Sequence, residues 1–283
     1  MQIINNEKNY SSVNTGNVCL VQRVFELKNM TWEEAEEELK LADYILLPIG
    51  SNEQHSLHLP LKTDTAMTYE IAKKIVHRAS PDLRIVVAPK LSYGISEHHM
   101  HFAGTISLKE ETLLALVSDI CTSLQKHQVK NIILLNGHGG NRALLEIGAT
   151  QLQTKLEVNI LLINWWVLAS DIIKKTVKSK TWGHSCEVET SLAMHLIPNV
   201  VKVKKIQTPS VTPNNIDLSP LGYEERFSPS PVRYWEDLTN TGSLGDPCQA
   251  SSDFGVQLVN VISERLVYSL IRFKHNNLTD FPS

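Results

Sequence analysis

Four short apolar runs, each followed by a longer amphipathic stretch, constrain this chain more than any other feature. YILLPIG (44–50), RIVVAPKL (84–91), NIILLN (131–136) and VNILLINWW (158–166) read as buried strands. The stretches at 64–79, 108–127 and 142–156 have helical period, with Ile71, Ile75 and Val76 sharing a face of the first. A helix over 31–42 opens with a capping box, Thr31 and Glu34. Further helices are predicted over 186–198 and 251–275. Strands alternating with helices of ten or more residues predict a mostly parallel sheet with helices on both faces. The expectation is one α/β domain, a three-layer sandwich, across residues 1–283. Residues 1–20 are polar and read as a loose segment, and 207–250, rich in Pro, Ser, Gly and Asn, as a long irregular excursion.

Composition removes several classes. Net charge is −3 with acids and bases mixed, so there is no basic stripe for nucleic acid. No apolar run reads as long enough for a bilayer, and the first residues lack the pattern of a signal peptide. The four cysteines, Cys19, Cys121, Cys186 and Cys248, are far apart and read as reduced thiols of a cytoplasmic protein.

The chemistry gathers at one edge. In an open α/β sheet, ligands bind beyond the carboxyl ends of the strands. The first apolar run is followed by Glu53, His55, His58 and Asp64. The second is followed by Ser92, Ser96, Glu97, His98, His99 and His101, the third by His138 and Asn141, and the fourth by Trp165 and Trp166. A later stretch, WGHSCEVETS, adds Trp182, His184, Glu187 and Glu189. One loop histidine is ordinarily a solvated residue, and GHGGN alone reads as a plain turn or a phosphate cradle. Seven of eleven histidines on one rim call for another reading. Mixed carboxylate and imidazole suits Zn²⁺, Mn²⁺ or Fe²⁺. Glu187 and Glu189 are two residues apart and cannot both face the same way, so only one is expected to be a ligand.

These blocks resemble the creatininase (creatinine amidohydrolase) family. GSNEQHSLHLPLKTD, SEHHMHFAGTISL, NGHGGN and HSCEVETS keep the family's order and spacing over roughly residues 45 to 195. Ser56 stands where glycine is usual, Ala103 where proline is, and Ser185–Cys186 where Ala–Gly is. The resemblance implies a binuclear metal-dependent amidohydrolase. Glu53, Asp64 and His138 match ligands of one ion, and His55 and Asp64 those of the other, with Asp64 bridging. Creatininase has a glutamate where this chain has Gly140, which puts creatinine itself in doubt and leaves Glu189 as the candidate replacement. The family is often hexameric, so a homo-oligomer is expected.

The implied chemistry is hydrolysis of a C–N amide bond in a small, possibly cyclic, substrate. Two divalent ions, Zn²⁺ and/or Mn²⁺, about 3.5–4 Å apart would activate a bridging water and polarise the carbonyl. His184 is expected to protonate the leaving nitrogen, and Glu187 to act as a base or hold His184. Ser96, Asn141, Trp165 and Trp182 are the expected substrate contacts. Three rivals remain: a cysteine hydrolase built on Cys186 and His184, a metal-dependent peptidase on the same site, and a non-catalytic binding protein.

Overall fold

The computed structural model describes residues 25–179, 182–209 and 235–275. The expected loose segment 1–20 and most of the 207–250 excursion lie outside them. Five parallel strands form one sheet: β1 (Phe25–Glu26), β2 (Tyr44–Ile49), β3 (Ile85–Val87), β4 (Asn131–Asn136) and β5 (Asn159–Asn164). Their order is β1-β3-β2-β4-β5. The four predicted strands are present, and the two-residue β1 adds an edge that no apolar run announced. β3 is shorter than the predicted 84–91. Its pairing with β2 ends before Pro48, which has no N–H to offer on that side. The chain meets β2 again where Leu91 donates its N–H to the Pro48 carbonyl at 2.9 Å.

Among the described residues, seven α-helices cover the sheet: α1 (Trp32–Leu41), α2 (Thr63–Ala79), α3 (Glu110–Lys126), α4 (Arg142–Leu156), α5 (Ser170–Thr176), α6 (Glu187–Leu196) and α7 (Ser252–His275). Alternation along β2 divides the core. Tyr44 and Leu46 face a cluster supplied by α2, α6 and α7, while Ile45, Leu47 and Ile49 face one supplied by α3 and α4. The result is the expected helix–sheet–helix sandwich. The capping box of α1 forms in both directions between Thr31 and Glu34. α7 is long and apolar enough by composition to cross a membrane, contrary to the sequence reading. Half of its apolar window is buried against the core, where Tyr44 donates its hydroxyl to the Leu270 carbonyl at 2.8 Å.

Chain order reverses between β2 and β4: β3 follows β2 on one side, and β4 and β5 lie on the other. The loops after β2 and β4 therefore leave the sheet side by side, and a crevice opens between them. Two glycines let α2 approach this edge. A Cβ at Gly50 would lie 2.5 Å from the Thr65 backbone, and one at Gly137 would lie 1.7 Å from Thr68 Oγ1. The first turn of α2, which carries Asp64, is thereby seated on the strand ends.

Candidate metal centre

Asp64 stands at the centre of the site. It is buried, and its two oxygens face different imidazoles. Oδ1 lies 2.9 Å from His55 Nε2, and Oδ2 lies 3.1 Å from His138 Nδ1. Ser51 donates its hydroxyl to Oδ2 at 2.7 Å. Glu53, from the same loop as His55, places Oε1 3.2 Å from His138 Nδ1, 3.5 Å from His99 Nε2 and 3.6 Å from His184 Nδ1. Ser96 holds the other Glu53 oxygen with a 2.7 Å hydrogen bond. Glu189 Oε2 lies 3.9 Å from His55 Nε2.

Three sets of side chains converge closely enough to hold a cation: Glu53, His98 and His138; Glu53, His55 and His184; and His55, Asp64 and Glu189. The last includes the replacement ligand expected from the sequence. Glu53 Oε1 is buried with no hydrogen-bond partner, a costly state for a carboxylate oxygen unless a cation completes it. The donor set therefore fits divalent ions.

The electrostatics of the protein without ions agree. Burial raises Glu189 to about 7. Burial would lower His55, but Asp64, with Glu189 and Glu53, outweighs it and lifts the imidazole to about 9. Burial would likewise lower His138, yet Glu53 and Asp64 raise it well above the usual imidazole range. Protons thus sit between these imidazoles and carboxylates, where a metal cation would compete with them. His184 and His98 behave oppositely. Burial, then the charge on His55, pushes His184 down to about 3, and burial, then His138, pushes His98 down to about 4.

Beside the cluster is a pocket of about 590 Å³, its open mouth included. Trp165, Trp166, Trp182 and Trp235 line it with His98, His99, His184, Cys186 and Glu189. Trp165 and Trp182 were expected there. Trp235 was not: it lies in the irregular excursion, where no periodicity marks it. Its ring sits 4.6 Å from that of His99 and 5.3 Å from that of His184.

Other expectations need correction. Glu187 does not reach the cluster. Its carboxylate accepts from the Lys178 backbone N–H at 2.6 Å and from the Ser179 hydroxyl, so it holds the loop before α6. Asn141 is fully buried: its amide donates to the Gly50 carbonyl and its oxygen accepts from the Ile95 N–H, so it braces the rim rather than meeting substrate. Ser96 does not line the pocket and acts on Glu53. Burial, then the charge on His55, disfavours the His184 cation, so the donor role expected for it starts from a neutral ring. The Cys186 thiol is pushed up to about 12 by burial, then by Glu189, which leaves too little thiolate for the cysteine-hydrolase reading.

At Gly140, where the resemblance implies a glutamate in creatininase, a side chain has no room. A Cβ here would lie 2.2 Å from the Ile95 carbonyl and 2.4 Å from His138 Nε2.

A family model for creatininase, creatinine amidohydrolase, matches residues 28–270. The chain belongs to the creatininase family of amidohydrolases. It is 30% identical over 228 residues to the mycofactocin precursor peptide peptidase of Mycolicibacterium smegmatis, covering 78% of this chain and 83% of that one. It is 27% identical over 195 residues to the creatinine amidohydrolase of Pseudomonas putida, covering 62% and 74%. A Bacteroides fragilis chain assigned as a creatinine amidohydrolase superposes with a TM-score of 0.79 at 25% identity, over 90% of this chain and 98% of that one. In this creatininase-family chain, the four matching blocks are the four loops that meet at the crevice.

Proposed function

We propose that this creatininase-family chain hydrolyses a C–N amide bond in a small substrate with two divalent ions held at the crevice. The observation that carries the reading is Asp64, a buried carboxylate whose two oxygens face His55 on one side and His138 on the other. Glu53, Asp64 and His138 would hold one ion, and His55, Asp64 and Glu189 the second. Nitrogen and oxygen donors in this proportion suit Zn²⁺ or Mn²⁺. Among creatininases of this fold, 23% identical to the chain, a mutant is known in a zinc–zinc form and another structure in a manganese form. When bound, such ions supply Lewis acidity and a water ionisable near neutral pH.

The residues of the chain do the rest. His184 lines the pocket, and its Nε2 donates to the Gln54 carbonyl at 2.7 Å, which leaves Nδ1 without a proton. Nδ1 can accept a proton from the attacking water and return it to the leaving nitrogen. This replaces the one-step donor role expected from the sequence. The tryptophans exclude bulk water and select for a flat substrate.

The relative from M. smegmatis is named for a precursor peptide, so a peptidase on the same ligand set is the second reading. The protein is further proposed to be a cytoplasmic homo-oligomer, for which the family resemblance is the support, and a monomer mass by light scattering would overturn that. Turnover of a panel of cyclic amides, formamides and short peptides, before and after chelation, tests the function. Hydrolysis that ends on chelation and returns with Zn²⁺ or Mn²⁺ supports it, and hydrolysis indifferent to chelation contradicts it.

A further inference from the structure

The imidazoles around Glu53 are not chemically equivalent, and the difference lies in what each ring does with its far nitrogen. His55 directs Nδ1 at the Glu53 carbonyl at 3.2 Å, His138 directs Nε2 at the Ile95 carbonyl at 2.8 Å, and His184 directs Nε2 at the Gln54 carbonyl at 2.7 Å. A carbonyl only accepts, so each far nitrogen carries a proton and the near nitrogen is the one turned toward the carboxylates, where a cation would compete for it.

His99 is reversed. Its Nδ1 lies 3.0 Å from the side-chain nitrogen of Gln54, and its Nε2 faces Glu53 Oε1 at 3.5 Å. Two further contacts fix the orientation of the Gln54 amide. Gln54 Oε1 accepts from the Ser56 backbone N–H at 2.8 Å, and Gln54 Nε2 donates to the Gly242 carbonyl at 3.1 Å. With the amide oriented so, the Gln54 nitrogen donates to His99 Nδ1, which must therefore be unprotonated. The ring is buried, and an imidazole with a bare Nδ1 keeps its proton on Nε2.

We propose that Gln54 fixes His99 as the Nε2–H tautomer, so that His99 is a positioning residue that turns its N–H toward Glu53 and not a metal ligand. The carbonyl of Gly242 anchors this arrangement, because it accepts from Trp235 Nε1 at 2.8 Å as well as from Gln54. Gly242 has φ +91°, and a Cβ there would lie 2.0 Å from Gln54 Oε1. The segment that caps the pocket with Trp235 thus also holds the amide that orients His99. The ligand half of the proposal rests on the metal-centre reading above; the tautomer half does not.

Nitrogen-15 spectra of histidine-labelled, metal-free protein test the tautomer, with the His99 signals identified by their loss in His99→Ala. The expected result is a protonated Nε2 and a bare Nδ1. Gln54→Glu, which can only accept at that position, is expected to put a proton on Nδ1, and Gly242→Ala to mix the two forms. A proton on Nδ1 in the wild type, or a wild-type pattern retained in Gln54→Glu, overturns the proposal. Zinc titration tests the second half. His99→Ala is expected to keep the wild-type stoichiometry at saturation while its zinc Kd rises about tenfold, as for loss of a partner behind a ligand. His138→Ala, made alongside, is expected to lose an ion. His99→Gln, which keeps an N–H donor, recovers part of the affinity if the fold of His99→Ala is intact by circular dichroism. Loss of an ion in His99→Ala shows His99 to be a ligand and overturns the proposal. A wild type that binds no zinc refutes the metal-centre reading, and the tautomer then stands or falls on the spectra.

Discussion

Asp64 is the residue on which the two candidate cation positions depend, because it alone among the proposed ligands turns one oxygen to each imidazole set. Asp64→Ala is expected to lose both ions and all hydrolysis, read by elemental analysis and by turnover; retention of close to two ions per chain would refute the bridging role. The neighbouring choice between Glu187 and Glu189 could be posed from the sequence but not resolved there. Residues two apart on a helix differ by about 200° in direction, and only the phase of α6 shows which one points inward. Glu189 does, and Glu187 holds Lys178 and Ser179. Glu189→Gln is expected to retain one ion and lose the other. Glu187→Ala is expected to retain both and to lower stability by about 2 kcal/mol, the scale for hydrogen bonds to a buried charge. Metal loss in Glu187→Ala with full occupancy in Glu189→Gln would reverse the assignment.

At the scale of elements, strand ends and helix starts were legible because local chemistry sets them. The Thr31–Glu34 capping box, the apolar runs and the 142–156 helix depend on residues within a few positions of one another. Trp235 and His99 were not assigned as functional, because their roles come from contacts far apart in sequence: Trp235 with His184, and His99 with Gln54 and Gln54 in turn with Gly242. The positive φ of Ser56, 58°, accounts for the glycine usual at that position, since a left-handed turn favours glycine. Gly140 carries the prediction that belongs at this level. Restoring the family's carboxylate as Gly140→Glu is expected not to add a ligand. The overlap with Ile95 and His138 should instead cost about 1–3 kcal/mol by overpacking and weaken metal binding. A variant with normal melting temperature and tighter metal binding would contradict this.

Across the whole molecule, β2 ties the two halves of the core to the site that grows from its end. Tyr44 fastens β2 to the last turns of α7 through the Leu270 carbonyl, and burial pushes its phenol up to about 12. The neutral phenol is the form the fold favours. Its contribution is complete below the unfolded value near 10 and is lost as pH rises from there toward 12, on the order of 2 kcal/mol in all. Denaturant melts of the wild type are expected to weaken through that window, and Tyr44→Phe to lack that part of the decline; equal slopes in both would show that Tyr44 is not the titrating group. The same fold leaves the rims of β2 and β4 adjacent at the point where strand order reverses, and the four histidine-bearing loops meet there. This crevice is the proposed seat of two divalent ions. Elemental analysis of the purified wild type beside Asp64→Ala tests it most directly. Close to two ions per chain are expected in the wild type and none in the variant; a wild type saturated with Zn²⁺ or Mn²⁺ that still carries one ion or none would refute the two-ion centre.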